Sequence, residues 1–263
     1  MRAPGRPADT DTTSGPPVGH DAAGRAVQRL PHGRIEIALH RIRDGAGAGE
    51  GGPPLLLLHA LGSSSRAWRR DPPRWPGPVY ALDFAGHGAS DPVHGGGYYP
   101  EYFLGDADHA LAALGDRAVV AGRGIGAYVA LLLAGARADR VPAALLLPGD
   151  GLAGAGSSPG FERWEVLSLD AWEERITIEA ERFEAGTDPM ASLADHEYRP
   201  DDYVADFANA ARRLLLADLD RFVEPEWWTT VRASPHAETV PAHLPEAFER
   251  LAAAITGGNA TLA

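Results

Sequence analysis

The sequence predicts an α/β protein whose mostly parallel sheet is covered by helices on both faces. Two observations carry this. Short apolar runs bounded by turn residues, at 55–58, 79–82, 117–121 and 141–147, show no regular polar alternation and suit strands buried on both sides. Segments with apolar residues at helical spacing separate these runs, and buried strands alternating with helices are the pattern of a parallel sheet.

Taken in order, residues 1–26 are rich in Pro, Gly, Asp and Thr without periodicity, the composition of a flexible leader. Residues 34–42 alternate and read as a half-exposed strand. A Gly/Pro/Glu loop at 45–54 precedes Leu55-Leu56-Leu57-Leu58, and Asp71-Pro72-Pro73 and Gly77-Pro78 break the chain before 79–82. Residues 100–114 place Tyr102, Phe103, Ala107, Leu111 and Leu114 at helical spacing, with Pro100 in the first turn, where its missing N–H costs nothing. Strand 117–121 leads through a run of glycines into a small-residue helix at 125–138, and strand 141–147 closes on Pro148-Gly149-Asp150-Gly151. Residues 152–230 carry four tryptophans among many charges; 161–184 and 201–217 read as amphipathic helices, a helical lid beside the sheet. A last helix is expected at 246–256, with Phe248, Leu251, Ala252 and Ile255 on one stripe. The expected organisation is thus a leader at 1–26, a core at 27–151 and 231–263, and a lid at 152–230.

Composition narrows the function. The chain has 263 residues, with 24 Lys and Arg against 36 Asp and Glu, a formal net charge of −12. That balance argues against a general nucleic-acid binder and against attraction to anionic membranes. Cysteine is absent, so disulfides, thiolate metal sites and a cysteine nucleophile are excluded. No apolar run approaches membrane-spanning length, and the polar start lacks a signal-peptide core, so a cytoplasmic location is expected.

Parallel sheets hold ligands beyond the carboxyl ends of their strands, so the segments after 55–58, 79–82, 117–121 and 141–147 are where function is sought. Three of them fall into a recognisable order. His59-Ala60-Leu61-Gly62-Ser63-Ser64, followed by Trp68, resembles the His-Gly oxyanion loop of the α/β-hydrolase superfamily. Asp83-Phe84-Ala85-Gly86-His87-Gly88-Ala89-Ser90 resembles its Asp-x-x-Gly-His-Gly-x-Ser turn, and Gly122-Arg123-Gly124-Ile125-Gly126 stands where its nucleophile elbow belongs. The resemblance covers residues 34–150 and, less closely, 241–256. It implies the α/β-hydrolase fold, a mostly parallel sheet flanked by helices with a helical lid insertion.

The elbow motif is Gly-x-Ser-x-Gly, and here its centre is Gly124. Glycine carries no hydroxyl, so no acyl-enzyme can form there. Glycine still accepts the strained turn, and its missing side chain is expected to leave space before the positive end of a helix, where a carboxylate, an enolate or a water would fit. The alternative is a close-packed glycine turn. A dinucleotide fingerprint fits poorly, because the glycines do not follow the first strand of a unit and no acidic residue stands at the required distance.

By resemblance, the oxyanion donors map to the amides of Leu61, after His59 and Ala60, and Ile125. His59 and His87 read first as structural histidines, and Ser63, Ser64 and Ser65 as helix caps rather than nucleophiles. His243 resembles the histidine before the family's last helix and is the candidate base, with His236 competing. Asp150 is the candidate acid; Asp218 and Asp220 read as a lid-helix terminus. Arg123, Trp227 and Trp228 are candidates to line a pocket for a ligand with an apolar or aromatic body. No metal-ligand spacing occurs and no cofactor is expected; Asp195-His196-Glu197 reads as a solvated loop.

Three functions remain open: an altered, non-hydrolytic enzyme acting on a small apolar molecule; a non-catalytic ligand-binding or scaffold protein; and a serine hydrolase whose nucleophile was replaced.

Overall fold

The computed structural model describes residues 18–20, 26–45, 51–69, 73–152, 181, 183–195, 201–218, 224–241 and 243–256. Nine strands form one sheet: β1 (Val18–His20), β2 (Ala26–His32), β3 (Ile35–Arg43), β4 (Leu55–Leu58), β5 (Val79–Asp83), β6 (Val119–Arg123), β7 (Ala144–Leu147), β8 (Leu214–Asp218) and β9 (Ala237–Pro241). Their order is β1-β2-β3-β5-β4-β6-β7-β8-β9. The first three run antiparallel to their neighbours, and from β5 to β9 every pair is parallel. The described helices are α1 (Arg66–Arg69), α2 (Pro100–Ala113), α3 (Ile125–Ala136), α4 (Asp201–Ala210), α5 (Glu226–Arg232) and α6 (Leu244–Thr256), with a 3-10 turn at Pro189–Asp195.

Successive strand residues point to opposite faces, so a strand between two helical layers must be apolar throughout. In β4, Leu56 and Leu58 join the core beneath α2 and α3, with Phe103 and Tyr128, whereas Leu55 and Leu57 join the core beneath α1 and α6, with Trp68 and Phe248. All four are fully buried.

The carboxyl-terminal part departs from the expected layout. The expected helix over 201–217 is a helix only to Ala210, and Leu214–Asp218 is a strand of the main sheet beside β7. Val204, Ala208, Ala211 and Leu215 keep helical spacing across that break, and periodicity cannot separate a short buried strand from a continuing helix. The sheet therefore takes up part of the segment assigned to the lid; 153–180 lies outside the described residues. Likewise, Val18–His20 of the expected leader pairs with β2. Strand β9 gives no apolar signal because it is an edge strand with only Val240 buried.

Candidate functional site

Strand β6 ends at Arg123 and α3 begins at Ile125, so one residue makes the turn. Gly124 has φ 53° and ψ −121°, a region that side-chain-bearing residues avoid. Its carbonyl accepts the Ala127 and Tyr128 N–H groups at 2.9 and 3.2 Å, which starts the helix. The turn is tight: a Cβ on Gly122 would lie 2.0 Å from the Gly126 carbonyl oxygen.

The space expected above this turn is filled by the chain itself. A Cβ on Gly124 would lie 1.9 Å from the Asp150 carbonyl oxygen and 2.6 Å from the Gly149 carbonyl carbon. The same Asp150 oxygen accepts the Leu61 N–H at 3.1 Å and the Ile125 N–H at 3.0 Å. Two amides converging on one oxygen at such distances is the geometry that stabilises an oxyanion. Here the oxygen is a neutral main-chain carbonyl.

The segment after it is held firmly. Leu152 is buried, and its φ of 53° is unusual for a residue with a branched side chain. Its N–H donates to an Asp195 carboxylate oxygen, and its carbonyl accepts the Trp227 Nε1–H at 3.3 Å. Trp227 packs edge-on against Tyr128 at 5.2 Å and against Trp228 at 5.1 Å, all inside the main core. The two tryptophans expected to line a pocket are therefore core residues, and Trp227 ties down the strap that fills the elbow.

Around the strap lies a buried polar scaffold. The Phe84 N–H donates to His59 Nε2 at 3.0 Å, and the Gly62 N–H donates to His87 Nε2 at 3.2 Å. An amide can only donate, so both rings carry their proton on Nδ1, which donates to the Ala60 and Ala85 carbonyls at 2.8 and 3.0 Å. Burial pushes the pKa of each ring down, His87 to about 3. Neutral rings with both nitrogens engaged suit the structural role. Asp83 joins the oxyanion-type loop to the turn after β5: it accepts the Ser65 N–H at 2.6 Å, the Ala89 N–H at 2.9 Å and His40 Nε2 at 2.8 Å. Burial would raise the Asp83 carboxyl, but the hydrogen bonds it accepts from His40 and the Ser65 amide outweigh it and hold the carboxyl well below the usual range. Asp106, fully buried in α2, accepts the Ala85 N–H at 2.8 Å. Its position on the buried stripe with Phe103, Ala107 and Ala110 is a readable signal that the sequence analysis did not use.

The candidate acid and base are not brought together. Asp150 contributes its main-chain oxygen, and no hydrogen bond joins its carboxylate to His243 among the described residues. His243 follows the carboxyl end of β9, is exposed, and begins α6, where its carbonyl accepts the Ala247 N–H at 3.0 Å. Strand β9 lies three strands from β6, roughly 14 Å at the usual spacing. Two residues link β9 to α6. His236 precedes β9 and so sits at the opposite, amino end of the parallel strands. Asp218 ends β8 opposite Pro241, rather than ending a helix, with no hydrogen bond to His243; Asp220 lies outside the described residues.

Two further features were not anticipated. Glu184 accepts the Ser63 and Ser64 hydroxyls at 3.2 and 2.6 Å beside a cleft of about 400 Å3 lined by Arg66, Ala67, Glu184 and Ala185. Arg123 lies with its guanidinium 4.8 Å from the Trp68 ring centre, on the α1 face of the sheet. Among the described residues, no group of His, Asp and Glu side chains is arranged to hold a metal, and no helix is long and apolar enough to cross a membrane.

A sequence model of the alpha/beta hydrolase family matches residues 55–261. A search of curated proteins finds no significant match. Solved structures with the same fold include a bacterial membrane phospholipase A, at TM-score 0.62 and 21% identity over 91% of this chain and 88% of that one. A hydrolase from Pseudomonas aeruginosa PA01 superposes at TM-score 0.57 and 21% identity, covering 89% and 98%. The bottromycin epimerase BotH in complex with bottromycin A2 does so at TM-score 0.56 and 18% identity, covering 88% and 96%. With the strand order, the glycine elbow and the paired amides already in place, the match over residues 55–261 makes this chain a member of the alpha/beta hydrolase family.

Proposed function

We propose that the protein is a non-hydrolytic member of its family that binds a small molecule at the carboxyl edge of the sheet and forms no acyl-enzyme. One observation carries the reading: position 124 has no hydroxyl and no room for one, because the Asp150 carbonyl oxygen stands 1.9 Å from where its Cβ would be. A hydrolase disabled by one substitution would keep a site shaped for the lost side chain, with its acid and base in place.

The convergence of the Leu61 and Ile125 amides favours a second reading within the same proposal. If a ligand's oxygen displaced the Asp150 carbonyl, the amides would stabilise an enolate without a covalent step. BotH, a neighbour in fold, is an epimerase, so the scaffold is compatible with such chemistry.

The test is reaction with a fluorophosphonate probe and with p-nitrophenyl acetate. The proposal predicts no covalent adduct by intact-mass spectrometry and hydrolysis at the buffer rate. A stoichiometric adduct would overturn it.

A further inference from the structure

Several arginines on the surface of this protein find carboxylates. Arg137 places Nε and one terminal nitrogen on the two Asp108 oxygens, each at 2.8 Å, and Arg140 and Arg213 pair with Asp116 and Glu238 at 2.7 and 2.8 Å. Arg123 is more deeply placed than these and pairs with no carboxylate among the described residues. Strand alternation turns it to the same face as Val119 and Ala121, onto an apolar layer that includes Leu145, Leu147, Trp68 and Phe248. Its Nε is buried without an acceptor, and so is the Nε1 of the Trp68 ring it lies over. Burial alone shifts its pKa downward, with no carboxylate opposing the shift.

A part-buried guanidinium without a counter-charge is costly, and so are two neighbouring buried N–H donors without acceptors. In a chain with 36 acidic residues, pairing this arginine internally would have been easy. The group also stands at the place where parallel sheets receive ligands: it ends β6, one residue before the turn, and its Cβ lies 3.2 Å from the position of a Cβ on Gly149. The residue is partly exposed although its Nε is not.

We propose that Arg123, backed by Trp68, is an anion-recognition residue that takes the carboxylate of a small organic monoanion. A planar carboxylate matches the two-point fork of a guanidinium. A single negative charge suits the setting better than a phosphate dianion, because the net charge of −12 repels added charge in proportion to its size. The inference rests on the reading that this protein binds a small molecule at the carboxyl edge, and it names the chemistry of that molecule's anchoring group.

The experiment uses benzoate as the probe and benzamide as its neutral counterpart. Binding is followed on the full chain by the NMR signal of the Arg123 Nε–H, assigned by its loss in Arg123→Gln. Benzoate is expected to shift that signal saturably and benzamide to leave it in place. Affinity for benzoate is expected to fall about tenfold or more in Arg123→Gln. Arg123→Lys, which keeps the charge and loses the fork, should fall between; it also serves if the Gln variant folds poorly. A signal that benzoate does not move, equal binding of benzamide, or equal binding by Arg123→Gln would overturn the inference. Such a failure with the fluorophosphonate result still negative would leave the non-hydrolytic reading standing.

Discussion

At position 124 the fold demands a residue with no Cβ for two separate reasons. The backbone dihedrals lie where side chains are strained, and the Asp150 carbonyl occupies the volume a Cβ would take. Strain of about 1–2 kcal/mol and overpacking of about 1–3 kcal/mol make Gly124→Ala destabilising by roughly 3 kcal/mol. For a chain of this size that is a drop in Tm of roughly 6–12 °C by calorimetry. Gly124→Ser should lose stability similarly and gain no esterase activity, and a large gain in turnover would show that acid and base were waiting for the hydroxyl. His59 and His87 make a second prediction at this scale. Both have pKa values lowered in the folded state, so the unfolded chain binds protons first. Their contribution is complete above 6.5 and is lost as pH falls from there, for His87 down to about 3. The depressed Asp83 carboxyl adds a loss of the same sign below its ordinary value of 3.8. Melting temperature should therefore fall steadily from pH 7 to pH 4, and a flat profile across that range would contradict the buried neutral rings.

The elements show what can and cannot be read from the chain. The apolar runs at 55–58 and 79–82 are strands within a residue of their expected ends, because full burial on two faces leaves no polar position to blur the pattern. Leu214–Asp218 is hidden by the helical spacing that runs into it from α4, and Ala237–Pro241 by its place at the sheet edge, where little is buried. The paired amides of Leu61 and Ile125 are legible from motif order. Their acceptor is not, since a main-chain oxygen leaves no mark in a sequence. The strap at 148–152 is thus a feature of structure alone, and it has its own test. Trp227→Phe removes the hydrogen bond to the Leu152 carbonyl, worth about 1 kcal/mol, while keeping most of the packing. Faster amide exchange at Leu61 and Ile125 than in the unaltered chain is expected, and unchanged exchange would mean that Trp227 does not secure the strap.

Over the whole molecule, the family's scaffold carries a glycine elbow packed against its own backbone. The two cores, the strand order and the buried network around Asp83 and His59 all position the carboxyl edge. At that edge position 124 carries no side chain, His243 follows the strand three places from β6, and a main-chain carbonyl accepts from both amides. The most direct test is NMR of the unaltered chain, looking for scalar coupling across hydrogen bonds from the Leu61 and Ile125 nitrogens to the Asp150 carbonyl carbon. Both couplings should be present, with the two amides protected together from exchange. Absence of both, with exchange at the rate of free amides, would show an open donor pair and contradict the self-filled elbow.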